Sequence, residues 1–363
     1  MKLRYISKHS VYDNFLNSIG TESTKKTFTY HLKKYLKFSQ LSNYGEIIEL
    51  AKQSPDDTFQ LLRDYITVNI KQNGVSANYM TNSLAAIKSF YEMNNIMLPF
   101  WKQLGKYKGK ARRVIDDRLY TNEELHQLIE NANLRTKVII FTLLSTGMRV
   151  GGLSTLTLGD IQYIEQYKLY KYTVYAKDIS ERYTTFCTPE CATILKLYLE
   201  TREKLGETLT KDSPYLVSDM PNSKSRFVSS TGIAIILERQ RYRAAVMARQ
   251  RRGLTIHSRK DVPRSHVYRK MFNTRCIEAG MNHYIKERLM GHKVSLGLDI
   301  HYYRPTESQL LAEYLKTANH LTVSEENRLK DENYKLKAEA ARTEKIMIEI
   351  LDKFEKWERT QSG

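Results

Sequence analysis

A chain of 363 residues is longer than one ordinary domain and predicts two or three. Hydrophobic residues make up 41%, enough for packed cores, which excludes a disordered protein. Lys and Arg number 58 against 40 Asp and Glu, a formal charge of +18, and so large a surplus predicts a polyanionic partner, nucleic acid ahead of a membrane surface.

Residues 1–105 read as helices joined by short polar turns. In Thr24–Phe38 the residues Phe28, Leu32, Tyr35 and Leu36 share one face at helical spacing. Lys25, Lys26, Lys33, Lys34 and Lys37 ride on or beside the other, in position to meet phosphates. Further helical patterns run through Thr58–Lys71 and Ala77–Asn94. Residues 102–113 carry six basic groups, two glycines and no acid. That predicts a basic linker, placed at 106–118, with Lys106, Lys108, Lys110, Arg112 and Arg113 lying along a phosphate backbone.

A second domain is expected over 119–318. Thr121 can cap a helix that has Glu123 and Glu124 in its first turn and ends at Asn131. Thr136–Ser145 is nearly all apolar and therefore a buried helix, stopped by Gly147. Leu153–Leu158 reads as helix turning into strand at Asp160-Ile161. Tyr167–Lys177 and Arg182–Cys187 alternate in the manner of an antiparallel hairpin, with Lys177 ending its first strand. The pattern is helical again from Pro189 to Gly206 and from Gly232 to Arg252. In the latter an apolar start (Ile233, Ile235, Ile236, Leu237) leads to Arg239, Arg243 and Arg249 near one face. Residues 239–264 hold nine Lys and Arg and one acid, Asp261, a stripe suited to phosphates more than base edges.

The tail, 319–363, places Leu329, Asn333, Leu336, Ala340, Thr343, Met347, Ile350, Phe354 and Trp357 at alternating spacings of four and three. This heptad pattern predicts either a self-associating helix or one packed back on its own domain. The fold class is therefore mostly α: a helical N-terminal domain, a second domain with one small antiparallel sheet, and a C-terminal helix. Three cysteines (Cys187, Cys191, Cys276) supply neither a disulfide framework nor a four-cysteine zinc site. No secretory leader opens the chain, and the apolar run at Val138–Leu144 is too short for a membrane span. A soluble cytoplasmic protein is expected, without metal, cofactor, small-molecule substrate or membrane partner.

The candidate chemistry lies in an ordered series. Arg149 ends Leu-Leu-Ser-Thr-Gly-Met-Arg; Lys177 lies in Ala176-Lys177-Asp-Ile-Ser-Glu-Arg182; His266-Val-Tyr-Arg269 opens a helix; His292 ends Leu289-Met-Gly-His292; and Tyr302 and Tyr303 follow ten and eleven residues later. Each element alone is weak, and His257-Ser-Arg-Lys260 is a chance copy of the His-x-x-Arg/Lys spacing. The order and local setting carry the weight.

In that order the chain resembles the tyrosine recombinases, the phage-type and Xer-type integrases. The resemblance covers about 119–318 and extends loosely to the N-terminal part, which looks like their core-binding domain. The ending Tyr302-Tyr-Arg-Pro-Thr most resembles integrases of archaea and their mobile elements. It implies a site-specific recombinase acting on double-stranded DNA as a homo-tetramer, nucleoid-associated when bound, through a 3′-phosphotyrosyl intermediate that needs no metal or ATP.

By residue type, Arg149 and Arg269 can neutralise the scissile phosphate as charge builds in the transition state. The resemblance makes His266 the base, Lys177 the acid for the departing 5′ oxygen, and His292 a donor to a phosphate oxygen. Tyr302 is the expected nucleophile and Tyr303 the alternative, because both lie later than the family's usual nine residues after the histidine. Another departure is Gly152, where the family usually carries an acid; position 270, often His or Lys in the family, is Lys270 and unremarkable. Two other functions stay open: an inactive DNA-binding accessory protein and a topoisomerase of type IB.

Overall fold

The computed structural model describes residues 10–109, 118–218, 226–250, 265–292 and 304–329, with Thr343, Glu344 and Met347. The chain divides into two compact units, Met1–Val114 and Ile115–Gly363.

Among its described residues the elements of the first unit are all helices: α1 (Val11–Asn17), α2 (Glu22–Ser39), α3 (Tyr44–Gln53), α4 (Pro55–Lys71), α5 (Ala77–Met93) and α6 (Trp101–Tyr107). The first five start at a Ser, Thr or Asn whose side chain accepts an amide of the opening turn, so each start is written locally. On α2, Leu32 and Tyr35 are fully buried, while Lys26, Lys33, Lys34 and Lys37 are exposed. Lys25 is half-buried and pairs with Glu22 at 3.2 Å.

Helix α6 corrects the linker expectation over 102–107. Leu104 is fully buried in the first core, and Phe100 just before the helix packs edge-on to Phe59 of α4 at 5.1 Å. Three apolar residues at helical spacing outweigh the basic composition between them. Lys106 is exposed and Lys108 donates to Thr81 Oγ1 at 2.7 Å. Lys110, Arg112 and Arg113 lie outside the described residues.

The second unit comprises α7 (Asn122–Glu130), α8 (Leu134–Thr146), α9 (Val150–Thr155), β1 (Ile161–Ile164), β2 (Leu169–Val174), β3 (Tyr183–Phe186), α10 (Pro189–Lys204), α11 (Ser230–Gln250), α12 (His266–Glu278), α13 (His283–Leu289) and α14 (Glu307–Leu321). The strands form one antiparallel sheet in the order β1-β2-β3, with Ile161 opposite Tyr172 and Val174 opposite Tyr183. The fold is thus mostly α with a small antiparallel sheet.

Helix α8 is the centre of this unit. Val138 through Thr146 are all buried, which is why the segment is apolar all round. On α11 Ile233 and Leu237 are buried, but Ile235 is 46% exposed, so it leaves the apolar face expected for it. Ile235, Arg239, Tyr242 and Arg243 instead share an exposed stripe at spacings of three and four, whereas the side chain of Arg249 lies outside the description. Two other boundaries move. Strand β2 stops at Val174, so Lys177 lies in the turn rather than at a strand end; and α14 continues to Leu321, past the expected end at 318. Of the heptad positions, Leu329, Thr343 and Met347 are described, with Leu329 and Met347 exposed; the others lie outside the described residues. Among the described residues no helix is long and apolar enough to cross a membrane.

Candidate active site

The site is built around two helix ends. Helix α8 closes at Gly147, whose φ of 62° is the left-handed value that favours glycine. A Cβ there would stand 2.4 Å from the Phe272 ring, so glycine also lets α12 pack against this turn. Two residues on, Arg149 is extended and stands at the N-cap of α9. Helix α13 closes in the same way at Gly291, with φ 66° and the Tyr183 ring 2.4 Å from where a Cβ would be.

These turns hold the two arginines. Arg269, one turn into α12 and 6% exposed, donates from Nη1 to Gly147 O and from Nη2 to Met290 O at 2.8 Å. Arg149 is exposed and donates from Nη1 to Gly291 O at 3.2 Å. The two guanidinium groups therefore bind consecutive carbonyls of one turn, although 120 residues separate them in sequence. Burial, followed by the Arg149 charge, lowers the pKa of Arg269 from its ordinary value. Such proximity is costly unless an anion is meant to lie between them.

His292 completes this corner. Its Nε2 accepts from Arg269 Nη2, and its Nδ1–H donates to Glu287 Oε2. The other oxygen of Glu287 pairs with Lys286 at 3.1 Å; Lys286, buried at 3% exposure, also donates to Asn273 Oδ1 at 2.6 Å. Burial acts to raise the Glu287 carboxyl, but the bonds from His292 and Lys286 outweigh it and leave its pKa below the usual carboxylate value.

A cavity of about 700 Å³ opens beside this network. Arg149, Glu287, Gly291 and His292 line one side; Tyr175, Asp178 and Glu181 of the β2–β3 turn line the other. Asp178 is held within its turn by Ser180, whose N and Oγ both donate to its Oδ1. Tyr175 has a φ of 54°, unusual for an aromatic residue, and its hydroxyl lies 3.2 Å from where a Cβ on Gly151 would be. A Cβ on Gly152 would meet Val174 Cγ1 at 2.6 Å. The missing acid thus has a packing cause: β2 occupies that space.

Of the residues expected from sequence, Arg149, Arg269 and His292 come together through hydrogen bonds. His266 is exposed at the first position of α12, one turn before Arg269 and on the same side of that helix. Lys177 is exposed in the turn but is not among the cavity-lining residues. Tyr302 and Tyr303 lie outside the described residues; the described chain leaves at His292 and resumes at Arg304. The returning α14 is anchored by Tyr314, whose hydroxyl donates to Ser145 O at 2.8 Å, and by Lys171, which pairs with Glu307 at 2.9 Å.

Sequence reasoning missed Glu287, Lys286, Tyr175 and Tyr183. Tyr183 packs its ring on Gly291, and burial pushes its phenol up to about 12 while Arg269 and Arg149 act the other way. Nothing in the spacing marks Tyr183, since its partner is the turn that closes α13, 108 residues later. Glu287 carried a weak signal, five residues before His292 across a glycine-closed helix end.

Residues 118–309 match the phage integrase family, slightly over half of the chain, and the protein belongs to that family. No curated protein matches it. Among solved structures it is similar to a lambda integrase dimer bound to a COC′ core site, at 17% identity and a TM-score of 0.53, over 82% of this chain and 78% of that one. A lambda integrase tetramer bound to a Holliday junction gives the same identity and TM-score over 82% and 79%. The Tn1549 transposon integrase in complex with a circular intermediate DNA gives 14% and 0.51, over 80% of this chain and 99% of that one. At such identities the likeness is one of fold.

Proposed function

We propose that this protein is a site-specific DNA recombinase that cuts and rejoins duplex DNA through a 3′-phosphotyrosyl intermediate, integrating or excising a mobile element. The observation that carries the reading is the pairing of Arg149 and Arg269 on the consecutive carbonyls of Met290 and Gly291. Two guanidinium groups held this way form a cradle for a phosphodiester, and either can rotate from a carbonyl to a non-bridging oxygen.

In this mechanism the Tyr302 hydroxyl attacks phosphorus, a new P–O bond forms to the phenol, and the bond to the 5′ oxygen breaks. The tyrosine proton passes to His266 and the departing oxygen takes a proton from Lys177. The pentavalent transition state carries extra charge on the oxygens facing Arg149 and Arg269, which is where positive charge lowers the barrier. Attack by the freed 5′ hydroxyl of a partner strand reverses the step and regenerates the phenol, so bond energy is conserved. Exposed lysines on α2 and the Arg239–Arg243 stripe of α11 support phosphate-backbone binding in both units. The functional assembly is a homo-tetramer holding two duplexes.

A duplex nicked near the cleavage position, so that the released fragment diffuses away, tests this. Wild type should trap a covalent protein–DNA band that survives EDTA, and Tyr302→Phe should abolish it. Loss of the band in Tyr303→Phe instead moves the nucleophile by one residue. Tight DNA binding with no band in wild type overturns the enzyme reading in favour of an accessory DNA-binding protein.

A further inference from the structure

We infer that Glu287 is a positioning and charge-balancing residue for the reaction, acting through His292. The inference rests on the recombinase reading above. In the structure His292 is bonded on both ring nitrogens: Nδ1–H donates to Glu287, so Nε2 carries the lone pair and accepts from Arg269. This is the neutral imidazole in a single tautomer, with its reactive nitrogen on the arginine that would hold the phosphate.

To serve the phosphate as a donor, Nε2 must take up a proton when Arg269 turns to the phosphate oxygens. A proton gained there adds positive charge beside Arg149 and Arg269, which a carboxylate bonded to the ring offsets. Among the described residues, the charged and titratable groups around it include Lys286 on α13, Asp178 and Glu181 on the β2–β3 turn, and the phenols of Tyr175 and Tyr183. Glu287 is bonded directly to the ring. It is held there by Lys286, itself fixed on Asn273 of α12, so the carboxylate stays ionised and aimed. The arrangement lets His292 change roles at Nε2 without leaving its place: an acceptor while Arg269 is on the protein, a donor once Arg269 is on the phosphate.

Glu287→Gln keeps the shape and an acceptor oxygen but removes the charge, so it separates the electrostatic role from packing. The full chain, labelled with ¹⁵N-histidine, should show His292 in the Nδ1–H tautomer in wild type. Its protonation midpoint should fall by about one pH unit in Glu287→Gln. On the nicked duplex, the alkaline fall in adduct formation should move down by the same amount, leaving the variant about tenfold slower above the wild-type midpoint. A His292→Asn background should remove that limb, and Glu287→Gln should add no further pH shift to it. An unmoved His292 midpoint, or a Glu287→Gln profile that only scales down uniformly with pH, overturns the inference while an adduct in wild type leaves the recombinase reading standing. The opposite failure is separable: a shifted midpoint with no wild-type adduct keeps the Glu287–His292 couple and removes the reaction proposed for it.

Discussion

The Arg269 corner of the second unit and the lysine face of α2 in the first have the same sign of charge and opposite construction. Arg269 is almost wholly buried, and three of its hydrogen bonds go to Gly147 O, Met290 O and His292. Lys26, Lys33, Lys34 and Lys37 stand in solvent on one amphipathic helix. A charge fixed by three partners can only be used at one place and in one direction, which suits a transition state. Exposed ammonium groups on flexible stems suit a polyanion whose phosphates need only be nearby. Under the proposed function, positive charge serves chemistry where the backbone supplies the acceptors, and affinity where it does not.

The comparison breaks most sharply at Arg269. Arg269→Lys keeps the charge, but one ammonium cannot reach all three acceptors in the fork geometry of a guanidinium. Adduct formation on the nicked duplex should fall by about 10²–10³-fold. A variant within tenfold of wild type would mean that charge alone suffices and that the two regions differ less than their bonding implies.

Gly291→Ala probes the turn that both arginines share. The added methyl meets the Tyr183 ring at 2.4 Å and must adopt a φ of 66°. Strain of this kind costs about 2 kcal/mol, which in a unit of this size lowers the melting temperature by about 5 °C. Adduct formation should fall with it because the Gly291 carbonyl moves. A variant with unaltered melting and unaltered adduct would show that the turn does not place the arginines.

The lysine face should give the smallest effect and a different signature. Lys33→Ala with Lys34→Ala should weaken duplex binding and reduce the slope of log affinity against log salt by about 1.8. Adduct formation at saturating DNA should stay as in wild type. An unchanged slope would assign these lysines to a solvated surface and leave binding to other parts of the chain.

Much of this plan is legible locally. Helix starts are written in Ser10, Thr21, Asn43, Ser54 and Ser76, and the stop of α8 in Gly147, because caps and left-handed turns depend on neighbours in the chain. Arg149 could be singled out because it directly follows such a stop. Helix α6 was concealed by its lysines, since a composition reading weighs charge over the spacing of Phe100, Trp101 and Leu104. Glu287 and Tyr183 were concealed for another reason: each acquires its role only by meeting a group on another turn or strand.

Order along the chain determined the fold class, the family and the identity of Arg149, Arg269 and His292 as partners, since residue type and local turns suffice for that. Tertiary structure alone decided that the two arginines share one turn's carbonyls, that β2 fills the space beside Gly152, and that a carboxylate backs the histidine. Those facts depend on how separate segments meet in space, some of them more than a hundred residues apart, and on the path of a helix end, and none of this is written in spacing.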